Sequence, residues 1–207
     1  MNYSFMKTKT ILTLVTSLIT TTAFAGDPLP VGSTAPDFSL TDAKGEAHSL
    51  SQYKGKYVVL EWFNPACPFV KKHYGSGNMQ KLQQEYTDKG VVWLTINSSA
   101  PGTWGNLTPE QAEQKMTEWK MHQTALLLDP EGKVGRAYGA KNTPNMVIIN
   151  PEGNIIYEGA IDSKATPNPA DIPNSTNYVR AALDESLDSK SVTTAKTKPY
   201  GCAVEYK

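Results

Sequence analysis

The sequence predicts an α/β domain in which a central mixed sheet carries helices on both faces, with a small β-hairpin at its start. Two β-branched and aromatic runs, 56–63 and 91–96, are typical of strands that are buried on both faces. A helical pattern follows each run, and strands that alternate with helices pair in parallel. Two short apolar runs on either side of a turn at 150–153 predict a hairpin, which adds antiparallel strands to the sheet.

Local signals place each element in turn. Alternating residues at 37–40 and 48–50, separated by a Gly45 turn, predict the hairpin. After the first buried strand, the run Asn64-Pro65-Ala66-Cys67-Pro68 leads directly into a helix. Asn78 is predicted to cap a second helical stretch that ends at Lys89-Gly90.

The second half of the chain shows the same alternation. Thr108-Pro109-Glu110-Gln111 has the spacing of a capping box with Pro at the first helical position, which predicts a helix to about Met121. Residues 163–175 are predicted to form a loop. The other predicted elements are strands at 125–128, 146–149 and 155–157, a short helix at 134–138 and a final helix at 178–187.

The first 25 residues have the pattern of a secretory signal peptide. Lys7 and Lys9 precede an apolar stretch at 11–19, and Ala23-Phe24-Ala25 offers small residues for cleavage. The stretch is too short and too rich in Thr for a membrane-spanning helix. We therefore predict a signal peptide at 1–25, a folded domain at 26–187 and a polar tail at 188–207, in a protein exported to the periplasm or beyond the cell, with no stable membrane insertion after cleavage.

Charge and cysteine content narrow the function. The chain has 20 basic and 20 acidic residues and no basic cluster, so a nucleic-acid partner is not expected. Its two cysteines are Cys67 and Cys202. In an exported chain an even count indicates either a single structural bridge or a redox pair.

Cys67 is the strongest candidate for chemistry. It stands between a buried strand and a helix that opens with Pro68, where free backbone N–H groups and the helix dipole favour an anion. Lys71 and Lys72 add positive charge one turn further along. These effects favour the thiolate, which is the nucleophilic form, so Cys67 is predicted to be reactive. The alternative is a buried and inert cysteine.

The segment VVLEWFNPACPFVKKHY resembles the active-site region of thioredoxin-fold proteins, and Asn142-Thr143-Pro144-Asn145 resembles their Thr-Pro turn. With the two hairpins, the resemblance is to the redoxin branch that includes the AhpC/TSA proteins, in an atypical subgroup whose C-terminal tail carries a Gly-Cys pair. It implies a thioredoxin-like three-layer α/β/α fold and a cis-Pro144 that faces substrates beside Cys67. It also implies partners that are protein thiols and disulfides or peroxide, together with a reducing partner protein.

Two positions depart from the related motifs. Thioredoxin-type sites use C-x-x-C, but Val70 takes the place of the second cysteine. Peroxiredoxins need Thr or Ser three residues before the reactive cysteine, where this chain has Asn64, and an Arg near it, where the chain reads Thr143-Pro144-Asn145. The leading hypothesis is therefore a thiol–disulfide oxidoreductase or antioxidant protein in which Cys202 resolves the disulfide formed at Cys67.

Two alternatives stay open. One is a peroxiredoxin-like peroxidase in which Asn64 substitutes for the hydroxyl group. The other is a binding or metal-delivery module with a structural Cys67–Cys202 disulfide. His73 lacks the spacing of a metal motif, so no metal and no cofactor is predicted. Glu61 is either a buried acid that assists proton transfer or an ordinary exposed residue. Supporting residues around the substrate are expected to be Asn64, Pro68, Phe69, Lys71 and Thr143.

Overall fold

The computed structural model describes Met1 and residues 26–207, so the predicted signal peptide lies outside the described residues apart from Met1. No helix among the described residues has the length and the apolar character needed to cross a membrane. The strands are β1 (Ser39–Asp42), β2 (Ala47–Ser49), β3 (Val58–Trp62), β4 (Val92–Asn97), β5 (Ala125–Leu128), β6 (Asn142–Thr143), β7 (Asn145–Ile149), β8 (Ile155–Gly159) and β9 (Cys202–Ala203). The α-helices are α1 (Pro68–Gly75), α2 (Asn78–Asp88), α3 (Pro109–Glu118), α4 (Lys133–Ala137) and α5 (Tyr178–Leu187).

Seven strands form one mixed sheet in the order β2-β1-β5-β4-β3-β7-β8. β3 pairs in parallel with β4, and β4 with β5, because helical crossovers connect them. The hairpins β1–β2 and β7–β8 add the antiparallel pairs. Every residue of β3 and β4 is buried, as their continuous apolar runs predict. The predicted mixed α/β sheet is confirmed.

The core has one layer on each face of the sheet, because alternate residues of a strand point to opposite faces. Val59 and Phe63 of the β3 region pack with residues of α1, α2, α3 and α5. Val58, Leu60 and Trp62 pack on the other side with Val134 of α4. The sheet is therefore a middle layer with helices on both faces.

Several predicted boundaries need correction. Asn78 is not the cap of α2. Gly77 holds the N-cap position with φ +75°, and the Asn78 side chain instead contacts His73. Helix α3 ends at Glu118 rather than near Met121, because Lys120 adopts a left-handed backbone conformation with φ +50°. The capping box at Thr108 is confirmed. A 3-10 helix, Pro169–Asn174, lies inside the predicted loop, and a second one, Leu50–Tyr53, follows β2.

The end of the chain is bound to the domain along its length. We call residues 196–207 the C-terminal strap. The Thr197 N–H donates to the carbonyl oxygen of Glu158 in β8, at 3.0 Å. Further on, Cys202–Ala203 forms β9, which pairs antiparallel with β6. The Tyr206 hydroxyl donates to the carbonyl oxygen of Ala140 at 2.7 Å. The sequence predicted only an irregular tail here, because two-residue strands leave no periodic pattern.

Candidate active site

Cys67 lies where β3 passes into α1, and it is the N-cap residue of that helix. The Asn64 carbonyl accepts from the Cys67 N–H at 3.1 Å, and the Cys67 carbonyl accepts from the Lys71 N–H at 2.9 Å, which closes the first helical turn. The position at a helix N-terminus is therefore as the sequence predicts. The side chain is fully buried, and its thiol donates to the Thr143 carbonyl oxygen at 3.2 Å.

The strap brings the second cysteine to this place. In the pairing of β6 with β9, Cys202 is opposite Thr143, whose carbonyl oxygen accepts from the Cys67 thiol. The Asn142 side chain donates to the Gly201 carbonyl oxygen at 3.2 Å, and the Val204 N–H donates to the Lys141 carbonyl oxygen at 3.0 Å. Both thiols are free. Residues separated by more than 130 positions in sequence are thus placed together.

Gly201 allows this close approach. Its φ is +129°, and a Cβ at this position would lie 2.0 Å from the Thr143 carbonyl oxygen. No side chain is compatible with that distance unless the backbone moves. The tail therefore uses its glycine to bring Cys202 against the edge of β6.

The two cysteines interact electrostatically. Burial, followed by the hydrogen bond to Cys67 and by the charge of its thiolate form, raises the pKa of Cys202 to about 12. The backbone N–H of Phe69, in the first turn of α1, faces Cys202 and opposes this rise in pKa. Cys202 is therefore harder to ionise than an ordinary cysteine in this arrangement.

Asn64 does not occupy a substrate-facing position. Its side chain is fully buried. The side-chain oxygen of Asn64 accepts from the Ala66 N–H at 2.8 Å, and the side-chain NH2 group donates to the Trp104 carbonyl oxygen at 3.1 Å. Each polar end of the Asn64 side chain thus holds the backbone of the loops around Cys67.

The other predicted supporting residues differ in environment. The Thr143–Pro144 peptide bond is cis, as the resemblance implies. Thr143 is buried and presents its carbonyl oxygen to Cys67. The Phe69 ring packs against the ring of Tyr200 in the strap, at 5.7 Å between centroids, so the strap covers it. Pro68 is exposed, and Lys71 lines a groove of about 940 Å³ that also includes Trp119.

Lys72 does not act as a free positive charge beside Cys67. Its ammonium group is buried and lies 2.9 Å from the carboxylate of Asp162, which neutralises it. The expectation that both lysines add positive charge near the sulfur is therefore wrong for Lys72. His73 is also buried, and burial lowers its pKa to about 4, partly opposed by Asp162. Its ring nitrogens contact the Asn78 amide at 2.9 Å and the Tyr200 hydroxyl at 3.3 Å.

Glu61 is a buried acid, not an exposed one. It is fully buried in β3, and its carboxyl group accepts hydrogen bonds from Tyr74 and Trp93, each at 2.9 Å, and from Gln83 and Thr95, each at 3.2 Å. Burial raises its pKa to about 7, although these four donors oppose the rise. Glu61 therefore exchanges its proton near neutral pH.

Among residues 26–207, Asp42, Glu46 and His48 have the spacing of metal ligands. However, internal hydrogen bonds already use this group. His48 contacts the Tyr53 hydroxyl at 2.6 Å and the Asp42 carboxylate at 3.2 Å. Asp42 also accepts the N–H groups of Lys44 and Glu46 at 2.8 and 2.9 Å. These contacts show that the three residues stabilise the turn between β1 and β2.

A model of the AhpC/TSA family matches residues 31–158, more than half of the chain. The chain belongs to the AhpC/TSA family.

Individual relatives agree with the family. The thiol-disulfide oxidoreductase ResA of Geobacillus kaustophilus is 31% identical over 125 residues, which cover 60% of this chain and 66% of ResA, just under two thirds. The crystal structure of an uncharacterized conserved protein from the same organism superposes with a TM-score of 0.74 at 28% identity, over 89% of this chain and 96% of that protein.

A third comparison concerns the fold alone. The thioredoxin domain of a thiol-disulfide oxidoreductase from Bacteroides vulgatus superposes with a TM-score of 0.52 at 23% identity, over 70% of this chain and 97% of that domain. This AhpC/TSA-family protein therefore has the thioredoxin-like α/β fold that its sequence resembles.

The sequence reasoning missed the residues that hold the strap, namely Asp162 and Tyr200 together with Lys72. Tyr200 stands in the Pro199-Tyr200-Gly201-Cys202 run, so the run marks it as a neighbour of Cys202. Nothing in the sequence around Asp162 indicates that it is buried. Lys72 and Lys71 are adjacent and of the same type, so no local signal predicts that one is buried and the other exposed.

Proposed function

We propose that this AhpC/TSA-family protein is an exported thiol–disulfide oxidoreductase in which Cys67 is the nucleophile and Cys202 the resolving cysteine. The observation that carries the proposal is the pairing of β6 with β9, which sets Cys202 opposite the residue whose carbonyl oxygen accepts from the Cys67 thiol. ResA, a relative named as an enzyme of this class, supports the reaction type. The signal-peptide pattern of residues 1–25 supports export.

The reaction proceeds in two exchanges. The Cys67 thiolate attacks a substrate disulfide R–S–S–R, forms Cys67–S–S–R and releases one thiolate. Cys202 then attacks the Cys67 sulfur, which forms the Cys67–Cys202 disulfide and releases the second thiolate. The two protons of the protein thiols end on the two substrate thiols, and the two cysteines lose the two electrons that the substrate gains. A reducing partner protein restores both thiols.

Charge coupling puts these steps in order. The negative charge of Cys67 contributes to the raised pKa of Cys202. When Cys67 enters a mixed disulfide, that charge is lost, so Cys202 becomes easier to ionise. The Phe69 N–H in the first turn of α1 also faces Cys202 and favours its thiolate. Both effects favour ionisation of Cys202 after Cys67 has reacted, although burial, the largest cause of its raised pKa, opposes it.

Serine substitutions test both roles. With a small-molecule disulfide such as oxidised glutathione, Cys202→Ser is expected to accumulate a mixed disulfide at Cys67, because the resolving thiol is absent. Cys67→Ser is the matched control. It lacks the attacking thiol, so it is expected to form mixed disulfide far more slowly than the wild type. Mass spectrometry of acid-quenched samples measures both.

The same samples separate the competing functions. Absence of a mixed disulfide in Cys202→Ser would overturn the proposal. Rapid peroxide consumption by the wild type, with sulfenic acid at Cys67 in Cys202→Ser, would establish a peroxidase instead. A Cys67–Cys202 disulfide that forms but resists mild reductants would indicate a structural clamp.

A further inference from the structure

A buried ion pair connects the helix that begins after Cys67 to the segment after β8, and it takes no part in the two thiol–disulfide exchanges. Lys72 of α1 and Asp162, which follows β8, are each 2% exposed. The Lys72 ammonium donates to the Asp162 carboxylate at 2.9 Å and to the Lys164 carbonyl oxygen at 2.7 Å. A buried pair of this kind gains little net stability over apolar residues, because both charges lose their water. Its position therefore calls for another explanation.

The strap supplies the third member of this cluster. The Tyr200 hydroxyl donates to the second carboxylate oxygen of Asp162. The Lys72 ammonium lies 3.4 Å from that hydroxyl and 5.5 Å from the centre of the Tyr200 ring. His73 contacts the same hydroxyl at 3.3 Å, and Phe69 packs against the ring. We call Lys72, Asp162 and Tyr200 the latch.

The latch connects the same two chain segments as the cysteines. Helix α1 carries Cys67 at its N-cap and Lys72 further along the same helix. The strap carries Tyr200 two residues before Cys202. A hydrogen bond from Tyr200 to a charged carboxylate, together with the pairing of β6 with β9, therefore fixes the strap on both sides of Gly201. Because charged hydrogen bonds are stronger than neutral ones, the latch adds a strong single contact to the backbone pairing on the other side of Gly201.

We propose that Lys72, Asp162 and Tyr200 are positioning residues that hold Cys202 against Cys67, and that the latch sets the rate at which Cys202 resolves a mixed disulfide. This inference rests on the proposed function. The latch touches neither sulfur and acts by keeping the strap closed. While the strap is closed it also covers Cys67 and occupies the edge of β6. Opening the latch therefore slows the second exchange and speeds the first, since the buried Cys67 becomes accessible.

The opposite signs of these two effects define the experiment. Tyr200→Phe removes the hydroxyl group and keeps the ring against Phe69. The reduced variant is mixed with one equivalent of a nitrobenzoate disulfide whose released thiolate is coloured, and stopped-flow absorbance follows two phases. The first phase reports attack by Cys67, and the second reports resolution by Cys202. Mass spectrometry of quenched samples assigns each phase to its cysteine.

We expect the second phase of Tyr200→Phe to slow at least about tenfold, because a hydrogen bond to a charged group is lost. The first phase is expected to be as fast as in the wild type or faster. Tyr57→Phe is the matched control. It removes a tyrosine hydroxyl that donates to the Ser186 carbonyl oxygen at 3.0 Å, beside the opposite end of β3, and both phases should stay at the wild-type rate.

Two results would overturn the inference. One is a second-phase rate in Tyr200→Phe that lies within twofold of the wild-type rate. The other is an equal slowing of both phases, because a general loss of structure would produce that result. Asp162→Asn provides a second variant with the same expected split. A wild-type protein that shows no first phase would contradict the proposed function itself, so failure of the function and failure of the latch are distinguishable.

Discussion

Two carboxyl groups, Glu61 and Asp162, are buried in different parts of this domain and are held in opposite ways. Glu61 lies in the central strand β3 among four neutral donors, and burial raises its pKa to about 7. Asp162 lies beneath the strap, and although burial opposes ionisation, hydrogen bonds from Tyr200, from the Lys72 ammonium and from the Lys164 N–H lower its pKa. The comparison teaches that burial alone does not set the charge of an acid. A buried cation keeps Asp162 ionised, whereas neutral donors leave Glu61 ready to take up a proton.

The largest expected effect comes from removing the cation beside Asp162. Lys72→Met leaves a buried carboxylate without its partner, so the free energy of unfolding is expected to fall by about 3–5 kcal/mol. Urea denaturation measures the change. Lys71→Met is the matched control, since Lys71 is exposed, and it is expected to change stability by no more than about 0.5 kcal/mol. If the free energy of unfolding of Lys72→Met fell by less than about 1 kcal/mol, Asp162 would not be a buried carboxylate that depends on Lys72 for its charge.

The next effect concerns the pH dependence caused by Glu61. Its pKa is higher in the folded protein, at about 7, than the ordinary value of 4.5. Between these values the unfolded chain ionises and the folded chain does not, so Glu61 makes the free energy of unfolding fall as pH rises, by up to about 1.4 kcal/mol per pH unit. In Glu61→Gln this contribution is absent. Urea denaturation from about pH 5 to pH 6.5 measures it, and an unchanged profile would contradict the assignment.

His73 is expected to act in the opposite direction and to a similar extent, because burial lowers its pKa by about as much as burial raises that of Glu61. Its pKa falls from 6.5 to about 4, so the unfolded chain binds a proton in this range and the folded chain does not. The His73 contribution to the free energy of unfolding therefore rises with pH, and in the wild type it largely cancels the Glu61 contribution.

Single and double variants separate the two contributions. Glu61→Gln should show stability that rises with pH, His73→Gln stability that falls with pH, and the double variant a nearly level profile over the same range. If His73→Gln kept the wild-type profile, the buried ring would have to be protonated in the folded protein, contrary to its lowered pKa.

Much of the fold was predictable from the sequence because its signals are local. The continuous apolar runs of β3 and β4 identify buried strands without reference to any other part of the chain. Thr108 and Gln111 mark the start of α3 for the same reason, since a capping box is complete within four residues. The predicted end of α3 was less accurate, because a left-handed Lys120 has no marker in the sequence.

The candidate site was predictable only in part. A strand followed by Cys67 and Pro68 places a sulfur at a helix N-terminus, and the presence of a second cysteine in the chain suggested a partner for it. The short pairing of β6 with β9 was not predicted, because a pairing of two residues depends on where the strap lies and not on its own periodicity. The role of Asn64 also depended on its surroundings, since its amide is engaged by the loop that contains Trp104.

Residue patterns along the chain were enough to predict the order of most strands and helices, the position of Cys67 at the start of a helix and the presence of a Gly-Cys pair in the tail. Those features follow from local periodicity and from the few residues that favour turns and helix ends. Only the tertiary structure decided that Lys72 is buried with Asp162, that Lys71 is exposed, and that Cys202 returns to Cys67. These features depend on contacts between residues that are distant in sequence. A charged side chain is stable in the low-dielectric interior only where the fold places an opposite charge next to it.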